Sequence, residues 1–456
     1  MSHHVTSADI AINGDHLDKS KVAKLKTICL GITAVGTIIS LLGLFGVFGQ
    51  WFQGTYAYSW VFAYYFFLTL SIGGVFWTLL HNVSNSGWGT SVRRTFENLG
   101  STYPWIFLFG VPLLFPQVNQ YLFEWMNVHR AGAEAVSGGH AKDMKDYLHH
   151  TDHLLYNKLF YMNIGSWIGR FIFYGVGVTG VIYFLRKLST DQDTDPKPGL
   201  KRLFAARKHS TYTLIIFALT ITFTGFDLLM GLDYKWFSTM WGVYIFSGSA
   251  LNSMAVIILV CTYLKSQGHL KHVTTPEHFH IMGKLLFAFT TFWAYISFSQ
   301  YFLIWYANIT EETSYFLIRN TGNWNIAMIF LVFGHFVVPF VVLLQAWLKK
   351  NPKYLSIVAV YTLCMHVLDH YLITIPERGV SLGNLMIKDG AGKVVVDGHK
   401  VFGEIAVSIP GAFWGDILAF VTIGAAFVFF LLRAIGQHSL YPNRDPRILE
   451  SANLTN

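Results

Sequence analysis

Apolar residues gather into ten long blocks along the chain, near 27–49, 58–80, 103–126, 159–185, 212–232, 236–264, 280–306, 324–347, 354–375 and 410–432. Each block supplies about the 20 residues that a helix needs to cross ~30 Å of hydrocarbon. The pattern predicts an all-α integral membrane protein of ten transmembrane helices. A polar tail over 1–26 precedes the membrane domain over 27–432, and a second tail covers 433–456. Proline interrupts the third block at Pro104, Pro112 and Pro116 and the eighth at Pro339. Such breaks are tolerated in membranes where neighbouring helices satisfy the freed backbone groups. The first block is too long for a signal-peptide core and reads as a retained span.

Composition points the same way. Apolar residues make up 53% and charged residues 13%, about half the charge of an ordinary soluble domain. Charge then orients the chain. Of the 33 Lys and Arg, 21 fall on the side of the two termini and 10 on the other, with Arg170 and Lys284 inside spans. By the positive-inside rule both termini are cytoplasmic. Two loops on the far side are long: 127–158, rich in His and charge, and 376–409, which includes the strand-like run KVVVDG. They read equally as partner-docking loops and as solvated connectors. On the cytoplasmic side, 82–100 sets Val92, Phe96 and Leu99 against Arg93, Arg94 and Glu97, the pattern of a short interfacial helix. No basic, aromatic-interleaved patch stands in a polar setting, so nucleic acid is not an expected partner. Cys29, Cys261 and Cys364 lie in apolar blocks outside any C-x-x-C or C-x-x-C-H arrangement and read as small buried residues, not cluster or haem ligands.

The chemistry is in the polar residues that the apolar blocks contain. In TGFDLLMGLDYKWFSTMWGVYIFSGS, Thr224–Ser249, Asp227 sits about one turn inside the fifth span and Asp233 just beyond it, about 9 Å further along the axis. Asp233 reads as a wetted turn acid beside Tyr234 and Trp236. Asp227 must be protonated, paired or facing water, which makes it a functional-site candidate. In VYTLCMHVLDHYLIT the ninth span carries His366, Asp369 and His370 within one arc of a helix. Imidazoles titrate near neutrality, so such a cluster can pass protons; a buried packing role is the alternative. His335 in the eighth span reads as a lone structural histidine, and no facing pair suggests haem. Asn119, Gln120 and Glu124, Gln300, and Asp416 fall in the far halves of their spans, with Arg170 and Asn252 deeper. Together these describe a proton half-path or a polar pocket opening away from the cytoplasm. The run LHHTDH, Leu148–His153, reads as exposed loop in preference to a metal site.

Three stretches carry a family resemblance: FDLLMGLDYKWFST, then VYIFSGS with TYLKSQGHL, and FWAYISFSQYFLIWYANITEETSYF at Phe292–Phe316. They resemble the ActF membrane subunits of bacterial alternative complex III, a quinol:cytochrome c oxidoreductase built around NrfD-like subunits. The likeness is dense over 210–320 and looser but collinear elsewhere. It implies two four-helix bundles, spans 2–5 and 6–9, flanked by spans 1 and 10, in the bacterial inner membrane. It implies as partners a paralogous ActC-like subunit, an ActB-like iron–sulfur subunit, and multihaem and monohaem cytochrome c subunits, with a cytochrome c or a terminal oxidase as electron acceptor. Menaquinol is the ligand it suggests; haem and iron–sulfur clusters are expected in the partners, and no redox centre in this chain. ActC-like subunits are expected to hold quinol through a histidine in an F-P-x-x-H run and an Asp in an F-D motif. Here Asp227 keeps the Asp, with Trp236 at the matching distance, but the run is FPQVN and Asn119 replaces the histidine. An amide cannot take the proton that quinol releases, so the resemblance implies a subunit that does not itself oxidise quinol. A quinone-binding subunit and a proton-coupled secondary transporter are the competing readings.

Overall fold

The computed structural model describes residues 4–11, 13–195, 199–321, 323–390 and 412–455, and every regular element among them is a helix. Among the described residues, nine helices are long and apolar enough to cross a membrane, and one sharply bent pair makes up to ten. In chain order these are α1 (Lys19–Leu44), α2 (Gln50–Ser84), the bent pair α3 (Arg93–Leu114 and Pro116–Leu122), α4 (Ile164–Thr194) and α5 (Lys201–Leu228). They are followed by α6 (Trp241–Ser266), α7 (Pro276–Ala307), α8 (Trp324–Leu343), α9 (Pro352–Gly390) and α10 (Ala412–Ile435). The chain is a multi-pass membrane protein.

α2 is the axis of the molecule, buried along nearly its whole length and packed against α3, α5, α6, α9 and α10. Glycine permits this. A Cβ on Gly74 would lie 2.4 Å from the backbone N of Gly100, and one on Gly73 would lie 2.3 Å from the Ser249 carbonyl. The helices therefore meet backbone to backbone, the small-residue mode of membrane packing. α5 packs on α4 and α6, α6 on α7 and α9, α8 on α9, and α1 with α10 forms a pair along α2. Outward faces are apolar, with Ile38, Val176, Ile215, Phe298, Ile326 and Ile357 all exposed as a lipid-facing surface requires.

The two tails meet. The Asn453 side chain exchanges hydrogen bonds of 2.8 and 2.9 Å with the Val5 backbone, and Leu440 N–H donates to the Asp15 carbonyl at 2.7 Å. Ser451 also bonds Trp88 O, Ser91 and His278, tying the C-terminal tail to the starts of α3 and α7. Both termini therefore occupy one end of the bundle.

Several expectations from the sequence are corrected. The interruption read in the third block is sharper than a tolerated kink: α3 bends by 88° at Phe115. Pro116 forces the residue before it into an extended backbone, ψ 132°, and Pro112 lacks the N–H that a regular helix would use. The 93–100 segment is not interfacial, because both of its faces are buried. Arg93 pairs with Glu97 and Asp445, and Arg94 with Asp193, so charges meant for water are neutralised inside. The 127–158 loop contains helices Glu124–Ser137, Met144–Thr151 and His153–Lys158. α9 continues past 375 to Gly390, and KVVVDG lies outside the described residues. Cys29 and Cys261 are buried, but Cys364 is exposed.

Candidate functional site

At the bundle end remote from the termini, Asp227 of α5 is buried and paired. Arg170 of α4 grips it with both arms, Nε to Oδ2 at 2.8 Å and Nη2 to Oδ1 at 2.9 Å, and Tyr174 OH donates to Oδ2 at 2.7 Å. Arg170 is itself placed by Ser166 Oγ, the Tyr161 carbonyl and the face of the Tyr161 ring at 3.8 Å. Three donors converge on the carboxylate and fix its orientation. Beside this pair opens a cavity of about 490 Å³ with aromatic walls, including Trp125, Trp167, Phe226 and Trp236, and with Asp227, Arg170 and Lys158 on its rim. Lys158 Nζ donates to Tyr234 O at 2.6 Å, and burial pushes its ammonium below the ordinary lysine value. Tyr234 OH donates to Asp152 at 2.6 Å, and burial drives that phenol upward.

Deeper in the bundle, α9 presents His366, Asp369 and His370, all buried, to α6, α7 and α8. Tyr244 OH of α6 donates a short hydrogen bond to Asp369 Oδ1, and Trp293 Nε1 of α7 donates to Oδ2 at 3.2 Å. His366 Nδ1 lies 3.3 Å from Asp369 Oδ2, and the His366 and His370 ring centroids are 4.2 Å apart. The fourth member is His335 of α8, its ring 3.9 Å from Trp293 and 5.8 Å from His366. It was read from the sequence as a lone histidine; the fold brings it into the cluster. The local cause is Pro339, four residues on: it has no N–H for the His335 carbonyl and its ring crowds that oxygen. The helix responds with a π turn over Val332–Val337, which carries His335. None of the six ring nitrogens of His335, His366 and His370 has a hydrogen-bond partner among the described residues. A cavity of about 50 Å³ touches Asp369, Tyr244, Gln300 and Arg319, room enough for a water molecule.

The other candidates lie apart from this cluster. Asp416 at the start of α10 accepts from Arg378 Nη1 at 2.8 Å, Ser59 Oγ at 2.5 Å and Tyr371 OH at 2.9 Å. Asn119 is buried and spends both halves of its amide, Oδ1 accepting from Arg130 and Nδ2 donating to Leu113 O at 3.1 Å. Asp233 is half-buried in the turn after α5 and accepts from Lys235 N at 3.1 Å. Sequence reasoning did not single out Arg319 and Glu377, a buried pair at 2.9 Å whose arginine also bonds Leu372 O and Ile373 O. The histidines of LHHTDH are exposed. For holding a metal, the residue types and spacing fit at one place among the described residues, the buried group His335, His366 and Asp369. No protein-family model matches the chain, and no curated protein matches it.

Proposed function

We propose that this chain is a membrane subunit of a respiratory quinol:cytochrome c oxidoreductase of the alternative complex III type, without redox centres of its own, and that protons move through its His335–His366–Asp369–His370 cluster. On this reading there are ten spans, with both termini cytoplasmic in a bacterial inner membrane, arranged as bundles α2–α5 and α6–α9 flanked by α1 and α10. An ActC-like paralogue, an iron–sulfur subunit, cytochrome c subunits and a terminal oxidase surround it, and menaquinol is oxidised next door. The observation that carries the reading is the cluster itself: three buried imidazoles with no hydrogen-bond partner, against a buried carboxylate. An imidazole can accept a proton at one ring nitrogen and release one from the other, and buried ionisable groups in membranes sit on transport paths. Asn119 supports the division of labour, since its amide is already committed to Arg130 and Leu113. Asp227, fixed by Arg170 and Tyr174, serves as an anchor in place of a proton acceptor.

A second reading is favoured by the 490 Å³ aromatic cavity beside Asp227 and Arg170, which suits a quinone head group. Binding of a quinone-site inhibitor to the chain alone, lost in Trp236→Ala, would establish it. The test of the main reading is to purify the tagged chain from its native membrane and record a reduced-minus-oxidised haem spectrum with quinol:cytochrome c activity. Haem and activity should co-purify, and Asp369→Asn should lower proton release per electron while haem content stays constant. A haem-free, inactive, monodisperse protein would overturn the complex and leave a proton-coupled transporter using the same cluster.

A further inference from the structure

We propose that His335, His366 and Asp369 form a binding site for one divalent cation of the zinc class. One ligand atom from each of the three residues lies within 4.8 Å of the others. The His366 Nδ1 to Asp369 Oδ2 separation is 3.3 Å. A tetrahedral ion with bonds of about 2.0–2.1 Å places neighbouring donors roughly 3.3–3.4 Å apart, so this edge already has the required length. His335 has to close by at most about 1.5 Å to complete the face, and it rides on the π turn of α8.

The donor set selects the ion. Imidazole nitrogens with one carboxylate suit zinc and its borderline neighbours, whereas calcium needs six to eight oxygens and magnesium an octahedron of them. The carboxylate is oriented, because Tyr244 OH holds Oδ1 and Trp293 Nε1 holds Oδ2. Groups that hydrogen-bond a ligand in this way raise metal affinity by fixing its direction. The imidazoles carry the second observation. Burying them with every ring nitrogen unpartnered is costly, and a cation bound to the lone pairs of His335 and His366 removes that cost for two nitrogens at once. Asp369 supplies the only acidic charge in the group, and the neutral imidazoles leave the ion with one net positive charge inside the bundle.

The site stands on this geometry alone and holds whether or not the cluster conducts protons. If it does, a bound ion occupies the lone pairs that protons would use, and Zn²⁺ stops the flow.

The test uses the full chain produced alone in membranes, solubilised, stripped with chelator and titrated with Co²⁺ as a spectroscopic stand-in for Zn²⁺. One Co²⁺ per chain should bind with the intense visible bands of a tetrahedral site, and Zn²⁺ should displace it. His335→Gln should weaken binding by at least about 100-fold, more than loss of a group that merely hydrogen-bonds a ligand produces. His366→Cys keeps a donor: it should still bind Co²⁺ and gain a thiolate-to-cobalt charge-transfer band, which arises only in a folded site at that position. The triple change His149→Gln, His150→Gln, His153→Gln should bind as wild type. Absence of tetrahedral bands, or a His366→Cys protein that binds Co²⁺ without the charge-transfer band, overturns the proposal. So does loss of binding in the exposed triple variant. Zn²⁺ inhibition of proton release by the purified complex is a separate measurement, and its failure would count against the proton route while leaving the site intact.

Discussion

Replacing Arg378 by methionine tests how the end of the bundle remote from the termini is held. Arg378 and Asp416 join α9 to α10, with side chains only 6% and 4% exposed. Their charge centres, about 4 Å apart, attract by about 4 kcal/mol at an effective dielectric near 20. Because neither group is screened, removing one leaves the other charge buried and unmatched, a loss of about 3–5 kcal/mol. Asp416 would keep Ser59 and Tyr371 as donors, which sets the expected cost of Arg378→Met near the lower end, about 3 kcal/mol. Asp416→Leu strands the guanidinium and should cost about 4 kcal/mol. The double variant removes both charges. Its main penalty is the Tyr371 hydroxyl left without an acceptor, about 1–3 kcal/mol, since Ser59 Oγ can still donate to the Thr55 carbonyl. It should therefore be more stable than Asp416→Leu alone, with a coupling energy above about 3 kcal/mol. The assay is reversible unfolding in mixed micelles on titration with a denaturing detergent, followed by helicity and tryptophan emission. Additive losses, or single variants within about 1 kcal/mol of wild type, would refute the claim that this is a structural ion pair.

Two further predictions bear on the cluster and on the helical loop. A Cβ on Gly248 would lie 2.7 Å from His366 Cε1, so Gly248→Ala should push the ring aside and lower both proton release and Co²⁺ affinity. Gly180→Ala, where a Cβ meets nothing within 4 Å, should do neither; equal behaviour of the two would detach the His366 position from function. His129 Nε2 lies 2.7 Å from the Met162 carbonyl, and burial holds its imidazole below the ordinary 6.5. The unfolded chain therefore takes up the proton first, so stability is full above about pH 6.5 and falls as the pH drops toward the folded value. Melting followed by tryptophan emission should show a smaller loss between about pH 7 and about pH 5.5 in His129→Gln than in wild type. An unchanged slope would exclude His129 as a source of acid sensitivity.

Which features were legible in the sequence follows from how local their causes are. Hydrocarbon thickness acts on each segment separately, so the apolar blocks reveal where each long helix lies, while polar ends such as Lys201–Thr211 of α5 extend beyond the block. The bend in α3 needed a weighing of three prolines in one block, and only Pro116, which sets Phe115 extended, turns the chain. Pairing is not local. Arg170 and Asp227 stand 57 residues apart, and Arg378 and Arg319 were counted as loop charges because they lie past the apolar blocks. In the fold both are buried in ion pairs. His335 had a local signal, the proline four residues after it, but which histidines that turn would face depended on α8 meeting α9.

The buried acids then separate by the kind of cation they face. Asp227 has Arg170, Asp416 has Arg378 and Glu377 has Arg319. An arginine stays charged at any physiological pH, so each of these carboxylates faces a permanent counter-charge. Asp369 differs. Among the described residues its partners are Tyr244, Trp293 and imidazoles, with no arginine or lysine in an ion pair with it. A buried carboxylate with imidazoles but no permanent cation beside it is a candidate place for a proton or a captured cation to sit. On the proposed reading, that contrast makes Asp369, rather than the more conspicuous Asp227, the acid to test first. It commits the reading to an ordering of variants: Asp369→Asn should lower proton release per electron and weaken Co²⁺ binding at little cost in stability. Asp227→Asn should instead lower stability, by loosening the Arg170 clamp, and leave Co²⁺ binding intact.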